Sequence, residues 1–142
     1  MTAIYMTKNT VFVDTGVWYA MADKSDQFHK KTITYIKKLI SNNVSFITTN
    51  LVIHETVMLL SRRLSKKAAI TFLDMVYSED HIEIIENDEI IEQKAYKIFK
   101  KFTDQDFSIT DCISFVVLKE KRIKKVLTFD KHFKTMKFVV IP

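Results

Sequence analysis

The chain has 142 residues, 47% of them hydrophobic and 27% charged, with a net charge of +5; this suffices for one domain around a single core and leaves no apolar run near the roughly 20 residues of a membrane span. Its one glycine, Gly16, and one proline, Pro142, exclude glycine-rich phosphate loops. The lone Cys112 can form no internal disulfide and the start "MTAIYMTKN" lacks the apolar centre of a signal peptide, so a reducing cytoplasm is the expected compartment.

In chain order, short apolar runs alternate with stretches of helical period, the pattern of βα units and a parallel sheet covered by helices. A strand is predicted over 10–14 (TVFVD), then helices over 15–22 and 27–42, and a strand over 45–49 (SFITT). Helices follow over 51–64 and 66–77; in the first of these, Ile53, Val57, Leu60 and Leu64 fall on one face expected to be buried. The stretch 81–85 (HIEII) is the least clearly patterned strand; helices over 88–102 and 108–121, a strand over 125–129 (KVLTF), a short helical turn after Asp130 and a strand over 137–141 (KFVVI) complete the chain. No repeat or linker divides it, so residues 1–142 read as one domain.

Charge is unevenly spread. Residues 79–92 hold seven acids and no Lys or Arg, whereas residues 119–137 hold eight basic residues against Glu120 and Asp130. A basic field of this kind attracts polyanions, although a solvated lysine-rich surface is the plainer explanation of charge alone.

Two apolar runs end on acids, "TVFVDTG" at Asp14 and "VLTFDKHF" at Asp130. Ligands of an open parallel sheet bind beyond the carboxyl ends of its strands, which is where both acids are expected. Glu55 follows the strand SFITT on the next helix, with Leu51, Met58 and Leu59 as its helical neighbours, an apolar setting in which a lone carboxylate is costly to ionise. Asp111 opens the helix that begins near Ser108. Carboxylates converging from four segments without matching arginines call for a hard divalent cation, Mg²⁺ or Mn²⁺, and such a cation beside a basic rim describes a nuclease. Each acid also has a simpler role open to it. Asp14 and Asp130 could cap the helices that follow, Asp111 could complete a capping box with Ser108, and Glu55 could merely favour a helix start.

The motifs "FVDTGVWYA", "NLVIHETVMLLSRR", "DQDFSITDCISFVV" and "VLTFDKHF" together resemble the PIN-domain ribonucleases, and more narrowly the VapC-type toxins, over nearly the whole chain. Asp14, Glu55, Asp111 and Asp130 match the acids of the family's motifs in order. The resemblance implies a three-layer α/β/α sandwich on a central parallel sheet, Mg²⁺- or Mn²⁺-dependent cleavage of RNA with those four acids as catalytic metal ligands, homodimerisation, and inhibition by a cognate antitoxin.

Asp106, Thr15 and Thr128 are supporting candidates, as an accessory acid and as hydroxyls flanking Asp14 and Asp130. Lys131 and Lys134 are the expected RNA contacts in the basic segment. His29, His54, His81 and His132 have no metal-ligand spacing with cysteine and are assigned no chemistry, and Cys112 reads as core. Trp18 and Tyr19 could stack a base but read more simply as packing. Two other functions fit the outline: a receiver-like phosphoacceptor domain, whose pattern of paired acids at the first strand is not met, and a catalytically silent PIN-like RNA-binding module.

Overall fold

In the computed structural model, which describes residues 9–142, the apolar runs form one parallel sheet of five strands. These are Thr10–Val13 (β1), Ser45–Thr49 (β2), Ile82–Ile85 (β3), Lys125–Leu127 (β4) and Val139–Ile141 (β5), in the spatial order β3-β2-β1-β4-β5. β1 is central, with Phe12 opposite Ile47 on one side and Val126 on the other. Val11, Phe12 and Val13 are buried there, as a parallel strand covered on both faces requires. β3 lies at one edge and is only half-buried along most of its length, which explains its weak pattern in the sequence.

The helices are Thr15–Ala22 (α1), His29–Ser41 (α2), Asn50–Arg63 (α3), Lys66–Ser78 (α4), Glu89–Lys101 (α5), Ile109–Glu120 (α6) and the short His132–Thr135 (α7). α1 packs against α2 and α3, α3 against α4, and α5 against α6, so the helices flank the sheet in the expected three-layer sandwich. Ile53 and Leu60 are fully buried on α3, worth about 1.5–3 kcal/mol each. Leu64 departs from expectation: it is 46% exposed, because it is the C-cap of α3, where the backbone leaves the helical path and turns the side chain off the buried face. Among the described residues, no helix is long and apolar enough to cross a membrane.

Three turns lead from helix to strand through the same device. Asn43, Arg122 and Lys137 adopt positive φ (59°, 57° and 67°), and each is followed by an apolar residue whose amide reaches back five positions. These bonds run from Val44 to the Leu39 carbonyl, Ile123 to Leu118 and Phe138 to Phe133, at 2.9–3.0 Å. They are Schellman closures, with non-glycine residues tolerating the left-handed position that glycine usually fills. The turns at Arg122 and Lys137 aim β4 and β5 beside β1, and an aromatic cluster of Phe12, Phe107, Phe115 and Phe133 fixes α6 and α7 beneath them, with centroid separations of 5.1–6.2 Å.

Candidate active site

Chain order in the sheet reverses at β1, with β2 and β3 to one side and β4 and β5 to the other. The crevice beyond the ends of β1 and β4 is therefore the topological switch point, where ligands of open α/β sheets bind. Asp14 follows β1 directly, and its amide extends the pairing with a 3.0 Å bond to the Leu127 carbonyl. Its carboxylate is buried and makes no capping bond to α1, so capping does not account for it. Instead the Thr128 hydroxyl donates to Asp14 Oδ2 at 2.9 Å. Burial pushes the Asp14 carboxyl up to about 7; the Thr15 amide and Thr128 hydroxyl oppose that rise, and the charges of Asp111 and Asp130 add to it.

The other acids approach from separate elements. Asp130 follows β4, its amide donating to Thr128 Oγ1 at 2.9 Å and its Oδ1 accepting the His132 amide at 2.9 Å. Asp111 does complete a capping box at the start of α6: its amide donates to Ser108 Oγ and its Oδ2 accepts the Ser108 amide, at 3.0 and 3.1 Å. Capping does not exhaust its role, because the charge of Asp111 is felt by both Asp14 and Glu55. Glu55, half-buried on α3, is raised above the usual carboxylate range, chiefly by burial and then by Asp111, while the Thr110 hydroxyl acts the other way. Met58, expected to shield it, is 43% exposed, so the setting of Glu55 is less apolar than its helical neighbours suggest.

All four acids line one open cleft of roughly 610 Å³, together with Thr15, Thr128 and Lys131. Asp106 is exposed on the loop before α6 and Lys134 is exposed on α7; neither lines that cleft. Trp18 is core, its indole N–H donating to Thr48 Oγ1 at 3.3 Å, so it is not placed to stack a base. Cys112 is fully buried, its thiol pushed up to about 11 by burial and the nearby Asp111 charge, which leaves it inert.

The structure adds residues the sequence did not single out. His132 Nδ1 lies 3.1 Å from Asp111 Oδ2 and 3.1 Å from Asp130 Oδ2. Asp111, Asp130 and His132 each offer a ligand atom within 4.8 Å of the others, the one such group among the described residues. The available signal was the D-K-H spacing, which a search for Cys/His pairs passes over. Arg63, at the end of α3, also lines the cleft, its guanidinium 5.5 Å above the Tyr19 ring. The carboxylate oxygens suit a hard divalent cation, whose charge would favour ionisation of the buried Asp14, and the His132 imidazole lies beside them.

A parallel α/β sheet with carboxylates from four segments gathered at its switch point defines an α/β protein with an acidic, cation-accepting cleft. The chain belongs to the PIN domain family, whose model matches residues 11–139. It is 29% identical over 136 residues to the "23S rRNA-specific endonuclease VapC20" of Mycobacterium tuberculosis, covering 92% of this chain and 97% of the relative. It is 28% identical over 123 residues to the "VapC ribonuclease" of Archaeoglobus fulgidus, covering 85% and 77% of the two chains. The fold is similar to the crystal structure of M. tuberculosis VapC20, described as a "Sarcin-Ricin loop cleaving toxin", with a TM-score of 0.81 and 26% identity over 91% of this chain and 96% of the other.

Proposed function

We propose that this single domain is an endoribonuclease that cleaves RNA phosphodiester bonds with Mg²⁺ or Mn²⁺, and that it is the toxin of a toxin–antitoxin pair. The observation that carries this reading is the meeting of Asp14, Glu55, Asp111 and Asp130 in one cleft that also holds Arg63 and Lys131. The acids would hold the cation, with His132 beside Asp111 and Asp130. A divalent cation bound there supplies charge that polarises the scissile phosphate and acidifies an attacking water. Thr128 and the Thr15 amide hold Asp14 in place, and Asp130 is held through its amide by Thr128. Arg63 and Lys131, lining the same cleft, would bring positive charge to phosphates of the bound strand.

The names of the VapC relatives support RNA as substrate, and the family resemblance supports a cognate antitoxin, a homodimer and a cytoplasmic setting. Exposed apolar side chains on α4, Ile70 and Tyr77, at 49% and 57%, offer surface for such contacts. A receiver-like phosphoacceptor fits less well, since receivers arrange their strands 2-1-3-4-5 and this sheet runs 3-2-1-4-5. The deciding experiment incubates purified protein with total bacterial RNA, with and without EDTA, and then restores Mg²⁺ or Mn²⁺. Discrete cleavage that EDTA abolishes and either ion restores is the expected result; equal cleavage with and without EDTA would overturn the metal dependence.

A further inference from the structure

One feature of the cleft is unused by the acids and cations. Phe28 and Phe129 are stacked on each other at its rim, with ring centroids 4.5 Å apart and planes 24° apart, and both line the cleft. Each is 37% exposed, whereas the cluster rings Phe12, Phe107, Phe115 and Phe133 are all 5% exposed or less. The pair thus keeps part of its ring surface open at the cleft, where the core rings offer none. Phe129 sits between Thr128 and Asp130, so its ring is tied to the segment that positions two of the acids.

Phe28 is presented by the turn between α1 and α2, which is pinned at several points. Its amide donates to Asp26 Oδ1 at 2.8 Å, and Asp23 accepts from the Tyr19 hydroxyl at 2.7 Å and the Ser25 hydroxyl at 2.6 Å. The backbone that carries Phe28 is thus held before any ligand arrives, and its ring rests against Phe129, which lowers the ordering cost of binding.

We propose that the Phe28–Phe129 pair is a stacking platform for an unpaired nucleobase adjacent to the scissile phosphate, and that it helps determine which RNA position is cut. A base offers a flat π-face to the exposed rings, while Arg63 and Lys131 on the same cleft meet its flanking phosphates. The pair and the four acids line the same cleft, so a base stacked on the rings keeps its sugar-phosphate in the cleft that holds the acids. This assignment rests on the nuclease reading above, deepens it, and can fail separately from it.

The test maps the cut in total bacterial RNA and then uses a short synthetic oligoribonucleotide spanning it, intact or with an abasic ribose at either nucleotide flanking the cut. Wild type, Phe28→Leu and Phe129→Leu are compared; leucine keeps apolar bulk and removes the π-face, and unchanged melting temperatures show that the variants fold. The expected result is a loss of roughly 5- to 150-fold in kcat/KM, mainly through KM, for wild type on one of the abasic RNAs and for the ring variants on intact RNA. Combining ring variant and abasic RNA should cost little more than either alone. Losses that multiply independently, or ring variants that cleave intact RNA like wild type, overturn the platform while leaving the nuclease intact. Ring variants that cleave normally but escape inhibition by the antitoxin would reassign the pair to a protein partner. A wild type that cleaves no RNA with Mg²⁺ or Mn²⁺ overturns both readings.

Discussion

Thr128 Oγ1 donates to Asp14 Oδ2 at 2.9 Å, joining the ends of two neighbouring strands that lie 114 residues apart in sequence. The same oxygen accepts the Asp130 amide at 2.9 Å, so one buried hydroxyl holds two acids of the cleft. Thr128→Val keeps the shape and removes both bonds, leaving the buried Asp14 carboxylate with the Thr15 amide as its remaining donor. The expected cost is about 1–3 kcal/mol of stability together with a large fall in RNA cleavage, with Thr128→Ser retaining most of both. Thermal melts and cleavage rates check this, and a Val variant matching wild type in both would show the hydroxyl to be dispensable.

Asp14 makes metal-free stability depend on pH in a stated direction. Its carboxyl is raised from 3.8 to about 7 in the folded chain, so the folded state binds this proton more tightly than the unfolded one. The associated stability is complete below about pH 4 and is lost as pH rises through about 7. In EDTA, Asp14→Asn cannot ionise and should exceed wild type by roughly 2–4 kcal/mol near pH 8, with the gap closing toward about pH 4. Added Mn²⁺ should reverse the ranking. Melting curves across that range decide the matter, and a gap independent of pH would count against it.

Asp111 belongs to a capping box and to the acid–histidine cluster, and two variants separate these roles. Ser108→Ala should cost about 1 kcal/mol through the lost cap while keeping most of the stabilisation that Mn²⁺ gives. Asp111→Asn should lose little stability without metal, because relief of repulsion with Asp14 and Glu55 offsets the lost charge at the helix start. Its cleavage should collapse and its Mn²⁺ shift should shrink. An Asn variant that cleaves normally, with an undiminished shift, would leave Asp111 as a cap alone.

Lys131 lines the cleft and Lys134 lies one helical turn beyond on exposed surface. If both meet phosphates, RNA affinity should fall steeply with salt, and each charge-neutralising substitution should lower the slope of log K against log salt by about 0.7. Binding titrations over a range of salt concentrations report this directly. A slope that changes for Lys131→Gln but not for Lys134→Gln would confine the RNA to the cleft itself.

The strands were legible as short continuous apolar runs, the helices because period 3.6 survives between those runs, and the acids because they punctuate the runs. Asp14 announces itself by interrupting "TVFV", and the sheet then carries it to the switch point. His132 was hidden because only Asp130 stands near it in sequence, while Asp111 is brought to it by the packing of α6 against the segment after β4. Arg63 and Phe28 reach the cleft from a helix end and a pinned turn, whose directions periodicity does not encode. Leu64 misled for a related reason: the helical pattern continues in the letters after the backbone has left the helix. The three left-handed turns were invisible because Asn43, Arg122 and Lys137 stand where a glycine would have marked them.

The pairing of β1 with β4 has a consequence for how the protein is made. Of the five strands, β1 leaves the ribosome first, yet one of its flanks stays open until Val126 and Leu127 arrive to pair with Phe12 and Val13. Contacts that distant in sequence form late, after the intervening helices have had time to fold. Asp130 lies just beyond that strand, so the four acids are brought together only once β4 has paired with β1. A chain that stops before β4 therefore carries an open sheet and lacks Asp130, so the cleft is assembled only by a segment that follows most of the fold in sequence.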